Sequence, residues 1–191
     1  MSMRWGRRSA LSRQFVRLAV VISLGSLNAA CFQPLYGDQT ISAGDTVRDK
    51  LNAIQIPDIP ALQGTPQSRL AVALRNALVF DFNGGASPGS SIYRLEVKIV
   101  GAGATSVIVD VSSGRPDAEL EAISATFSLT EIETKKVVLI DSTFARASYD
   151  IPGSEQRFAR QRAQRNAEDR AVELLAQNIQ KRLSSFFVAG T

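Results

Sequence analysis

Apolar and polar residues alternate most regularly in the middle of the chain. In residues 92–100, Tyr93, Leu95, Val97 and Ile99 fall on one side and Arg94, Glu96 and Lys98 on the other. A period of two predicts a strand with one face on a core and the other in water. Residues 106–111 prolong this strand past Gly101–Gly103, where a bulge or bend is expected. Residues 119–132 alternate again, with Ile123, Ala125, Phe127 and Leu129 opposed to Ser124, Thr126, Ser128 and Thr130. A further long strand is expected over residues 137–151. Turn signals at 112–117 and 133–136 separate the three, which predicts an antiparallel meander.

The period changes to that of a helix in two places. Leu70, Leu74, Ala77 and Leu78, with Ala73 and Phe80 beside them, make one face of a helix expected over residues 66–82. Thr65 suits its N-cap, Pro66 its first turn, and Asn83-Gly84-Gly85 its end. Residues 84–91 then read as a loop. A second, longer helix is expected over residues 155–187, with Ser154 as N-cap. Its second half carries the stripe Val172, Leu175, Ala176, Ile179, Leu183 and Phe186; its first half carries only Ala159, Ala163, Ala167 and Ala171. Upstream of both, Leu51, Ile54, Ile56 and Ile59 nearly alternate before Pro57 and Pro60 end the pattern. That predicts an edge strand over residues 51–57. The order β-α-β-β-β-α predicts an α+β, two-layer sandwich, with two helices packed on one face of a four-stranded mixed sheet.

The N-terminus follows different rules. Arg4, Arg7, Arg8, Arg13 and Arg17 precede the uncharged run at residues 18–27, and Ala29-Ala30 lead into Cys31. Charged region, apolar region and small residues form the three-part layout of a secretory signal. The run is about half the ~20 residues that span a bilayer. Arg7-Arg8 lacks the surroundings of a twin-arginine signal. Residues 1–30 are therefore expected to be a signal peptide, 31–50 a polar tether and 51–191 a single domain. The formal charge of +4 changes meaning accordingly. The five arginines of the first 30 residues leave 17 of 22 basic residues against 18 acidic, a balance of −1. A nucleic-acid partner is not expected.

Chemistry is narrowly limited by residue type. The chain has no His and one Cys, which rules out Ser-His-Asp and Cys-His catalysis, Cys/His zinc sites and an internal disulfide. The glycines near residues 84–91 and 100–106 match no phosphate-loop pattern. Glu119/Glu121 and Glu131/Glu133 sit two apart on strands and read as surface charge. No enzyme, metal or cofactor is expected beyond acyl groups on Cys31. The basic residues that could meet an anionic ligand are Arg115 in its turn, Lys135 and Lys136 in the hairpin, and Arg157, Arg160, Arg162, Arg165 and Arg170 on the last helix. Glu155, Glu168 and Asp169 lie at helical spacing to pair with some of these.

Ala29-Ala30-Cys31 resembles a bacterial lipobox, with Asn28 where a Leu is usual and Leu27 one residue earlier. That implies a diacylglycerol thioether and an N-acyl chain on Cys31. Phe32, where retained inner-membrane lipoproteins usually carry Asp, favours the outer membrane. Cleaved soluble secretion and an uncleaved anchor are the alternatives. The run Cys31-Phe32-Gln33-Pro34-Leu35-Tyr36-Gly37, with the element order and the segments "SRLAVALRNAL" and "EDRAVELLAQNIQKRLSSFF", resembles the LPS-assembly lipoprotein family LptE in its alphaproteobacterial form. It lacks a Gly after the Cys. The resemblance implies a lipid-anchored outer-membrane protein, facing the periplasm, that plugs and helps assemble the β-barrel LptD and contacts lipopolysaccharide. An auxiliary lipoprotein of an ABC-type envelope lipid transporter, or an envelope enzyme, would share the size and anchor.

Overall fold

The computed structural model describes residues 46–85, 90–109, 116–151 and 157–189. The signal segment, Cys31 and the "CFQPLYG" run, most of the tether, Arg115 and Ser154 lie outside the described residues. Among the described residues, three helices and four strands follow in the order α1 (Val47–Asn52), β1 (Ile54–Gln55), α2 (Pro66–Asn83), β2 (Tyr93–Val109), β3 (Pro116–Glu131), β4 (Val137–Asp150) and α3 (Arg157–Ala189). The sheet order is β1-β2-β3-β4. The last three strands pair antiparallel as a meander, and β1 joins the edge in parallel. The α+β sandwich with a four-stranded mixed sheet is the architecture the periodicity predicts.

Two boundaries and one helix face differ from that prediction. Residues 47–50 are the start of a helix and not part of a tether. Thr46 Oγ1 accepts from Asp49 N–H at 3.1 Å, and Asp49 Oδ2 accepts from Thr46 N–H at 3.0 Å, a reciprocal capping box. The Thr46 N–H, and then the Thr46 hydroxyl at 2.8 Å, donate to this carboxylate and hold it below its ordinary pKa. Val47 and Leu51, one turn apart, bury its face. The first strand accordingly shrinks to two residues, because α1 takes Leu51 and Asn52 and Pro57 lacks an N–H to continue the ladder. Ile56 and Ile59 are buried from irregular chain instead.

The third difference concerns helix phase. In α2 the buried side chains are Leu70, Ala71, Leu74, Leu78 and Phe82, and Phe80 is exposed. In α3 they are Ala167, Ala171, Val172, Leu175, Ala176, Ile179, Leu183 and Phe187, with Phe186 half-buried. The Phe187 ring packs on Tyr93 of β2 at 5.4 Å between centroids. Thr65 occupies the N-cap of α2, but its hydroxyl donates backwards to the Leu62 carbonyl at 2.6 Å. Gly84 ends the helix in the left-handed region, φ 63°, donating to the Phe80 carbonyl at 2.8 Å.

The core lies between the helices and one face of the sheet. Leu95 and Val97 of β2, Ile123, Ala125, Phe127 and Leu129 of β3, and Ala145, Ala147 and Tyr149 of β4 supply the sheet side. Each Leu or Ile so buried is worth roughly 1.5–3 kcal/mol. In β2 the pairing register slips between Ile99 and Gly101, which leaves Val100 exposed at a bulge.

Candidate functional site

The basic residues marked by the sequence do not converge among those the structure describes. Lys135 and Lys136 are exposed at the tip of the β3–β4 hairpin, where Lys135 takes a positive φ of 58°. Arg160, Arg162 and Arg165 lie on the first turns of α3, and Arg157 opens that helix. Arg160 meets Glu119, whereas the hairpin follows Glu131 at the other end of the same strand. Those glutamates are twelve positions apart on the strand, about 40 Å at ~3.3 Å per residue. Arg162 and Arg165 are exposed.

Glu119 and Glu121 are not surface charge. They are 8% and 2% exposed, on the core side of β3. Their odd numbers put them in phase with Ile123, Ala125, Phe127 and Leu129, so the strand must turn them inward. Glu119 uses both oxygens. Oε2 accepts from the Tyr149 hydroxyl on β4, and Oε1 accepts from Arg160 on α3 at 2.8 Å. Burial, and then the adjacent Glu119 carboxylate, push the Tyr149 phenol well above its ordinary pKa. The Glu121 carboxyl is also raised, first by burial and secondarily by Glu119, with a Gln164 hydrogen bond opposing. Its Oε2 is buried without a hydrogen-bond partner.

This cluster explains what holds the first half of α3, whose alanines bury little area. Arg160 and Gln164 reach the sheet as polar anchors, and Arg170 donates to the Ser148 carbonyl at 2.7 Å. The helical pairings expected at i, i+4 are replaced by bonds between elements. Glu168 and Asp169 both accept from Arg69 of α2, the latter at 2.6 Å. Arg182 faces Asp141 of β4 at 3.6 Å. Among the described residues both glutamates are buried, and Glu119 is engaged through both oxygens. The arrangement fastens helix to sheet.

The outer face of the sheet is a second feature. Ser124, Thr126, Ser128 and Thr130 form a hydroxyl row along β3, between Arg94 and Lys98 on β2 and Ile140 and Phe144 on β4. Ile140 is 75% and Phe144 55% exposed. The Arg146 guanidinium stacks over the Phe144 ring at 4.7 Å. A groove runs here between the Pro57–Pro60 segment and Glu96–Lys98.

Fold and clusters together define a small two-layer scaffold whose buried charges serve cohesion, and whose exposed features include a sheet face and isolated basic points. None of the described helices is long and apolar enough to cross a membrane. The chain belongs to the lipopolysaccharide-assembly family LptE, whose family model matches residues 51–183. No curated protein matches it in sequence. In solved structures it is similar to a protein from Caulobacter crescentus CB15 described as a lipoprotein, with TM-score 0.57, 19% identity, and coverage of 76% of this chain and 97% of that one. Rare lipoprotein B from Shewanella oneidensis aligns with TM-score 0.49 and 13% identity, covering 72% and 96% of the two chains. A minor lipoprotein from Acinetobacter baumannii aligns with TM-score 0.45 and 14% identity, covering 70% and 92%. At these identities the Caulobacter match bears on the fold alone.

Proposed function

We propose that this protein is an outer-membrane lipoprotein subunit of the LPS translocon, lipidated at Cys31, on the periplasmic side. It plugs and assists assembly of the barrel LptD and contacts LPS, acting by binding and not by catalysis. The family match across residues 51–183 carries this reading. The exposed Lys135, Lys136, Arg162 and Arg165 support it as phosphate or barrel contacts, with Arg115 and Arg157 as further candidates. Arg160 is half-exposed and already shares its charge with Glu119, so it is the weakest of the set as a ligand contact.

Tagged protein captured from detergent-solubilised membranes tests the reading. The expected result is a large outer-membrane barrel in the eluate and loss of surface LPS when the protein is depleted. Capture of an ABC-type transporter, or normal surface LPS after depletion, overturns it. Mass spectrometry of the mature N-terminus should find an acylated Cys31, and Cys31→Ser should release the protein from membranes.

A further inference from the structure

β4 is an end strand of the sheet, and among the described residues no strand pairs with its outer side. Free backbone groups along an end strand form a template for another extended chain, so folded proteins charge, bend or cover such edges. Here α3 covers it with side chains. The Arg170 guanidinium donates to the Ser148 carbonyl at 2.7 Å. Two turns further on, the Asn178 amide donates to the Phe144 carbonyl at 3.1 Å. Another turn on, Arg182 faces Asp141 at 3.6 Å, and Asp141 itself accepts from the Ser142 N–H at 2.7 Å. The backbone groups so occupied belong to residues 142, 144 and 148. In an antiparallel ladder every second residue turns both backbone groups away from its neighbour, so the outward set on β4 is the even-numbered one. The pitches also match. Arg170 to Asn178 rises about 12 Å along the helix, and Ser148 to Phe144 spans about 13 Å of strand. From Ala171 to Leu183 the buried stripe of α3 already seats the helix. Asn178 and Arg182 are thus not needed for its adhesion.

We propose that the row Arg170, Asn178 and Arg182 is an edge lock, which keeps β4 from pairing with β4 of a second copy of this chain. A second copy suits the edge because the strand is self-complementary. An antiparallel pair with its twofold axis at Ser142 sets Ile140 of each copy opposite Phe144 of the other. Those side chains are 75% and 55% exposed in the single chain, and the pairing joins them as apolar cross-strand neighbours. The lock opposes this in two ways. It occupies the Phe144 carbonyl that the second strand needs, and it sets side chains of α3 where that strand would lie.

The full chain purified in detergent tests this. A photo-crosslinking residue is placed at exposed Ser142, and at exposed Glu173 as control. Each is made in wild type and in Arg170→Ala combined with Asn178→Ala. The double variant is expected to give at least tenfold more chain-to-chain adducts than wild type from position 142, with no rise from position 173. Adding Ile140→Lys to the double variant should return the adducts to the wild-type level. Adducts from position 142 that stay at the wild-type level overturn the proposal. So does an equal rise from both positions, which marks general aggregation, and so does a rise that Ile140→Lys leaves intact. If the double variant does not melt cooperatively, Asn178→Ala alone is judged by the same outcomes, since the buried stripe of α3 is untouched.

Discussion

Replacing Glu121 by methionine will stabilise this protein. The carboxylate is out of solvent, one oxygen has no hydrogen-bond partner, and a second carboxylate projects from the same face of the strand. A buried acceptor left unsatisfied costs about 1–3 kcal/mol. Glu121 lies toward the open end of the sandwich, beside Ala104 and Ala147, so the protein around it is thin and the lower half of that range applies. Methionine keeps an unbranched stem and prolongs the stripe that starts at Ile123. The expected gain is about 1–2 kcal/mol, or roughly 3–8 °C in melting temperature for a domain of this size. The gain must depend on pH. Burial raises the folded-state pKa of Glu121 above its ordinary value of 4.5. Its contribution to stability is therefore fully present below that value and lost as pH rises through the folded-state pKa. The advantage of Glu121→Met should be greatest above the raised pKa, shrink as pH falls from there toward about 4.5, and stay at its smallest below that. Thermal melts of both proteins at pH 7.5 and pH 4 measure it. A lower melting temperature at pH 7.5, or a gain that grows on acidification, would refute the reasoning.

Arg160→Met should cost about 1–2 kcal/mol, less than a fully buried pair would, because the arginine is half in water. Combined with Glu119→Gln in a double-mutant cycle, it should show a coupling of at least ~0.5 kcal/mol by urea denaturation. Leu175→Ala, at a fully buried position of α3, should cost roughly 2–5 kcal/mol and lower the denaturation midpoint without changing the slope. Gly84→Ala should cost about 1 kcal/mol in melts, since alanine must adopt the left-handed conformation that ends α2.

The sheet was legible because its period is short and uninterrupted. Ile123 to Leu129 are buried at every second residue, as their spacing demands. The same rule extended four residues upstream would have turned Glu119 and Glu121 inward; residue type outweighed phase in the expectation, and phase prevailed. Adjacent aromatics near a helix end differ by about 100° of rotation, so a small phase error exchanges Phe186 for Phe187. The helix α1 has too few residues for periodicity to register, and its capping box is the only local mark. The ion pairs were out of reach for another reason. Arg160 and Glu119 are 41 residues apart, and Arg69 and Asp169 are 100. Only the folded topology brings them together.

The helix α3 has 33 residues, about 50 Å of rod at 1.5 Å per residue, and it follows all four strands in the chain. It covers the inner face of β3 and β4 and also braces α1 and α2. Until it has been made, the β3 and β4 part of the meander has an oily face with nothing over it. A chain passing vectorially through a membrane would emerge sheet first, and this sheet cannot become a stable body on its own. Folding must wait for the last helix to arrive, and the unfinished hairpins need protection from one another in the interval. Truncation within α3 should thus yield aggregate or degraded protein, not a smaller working domain.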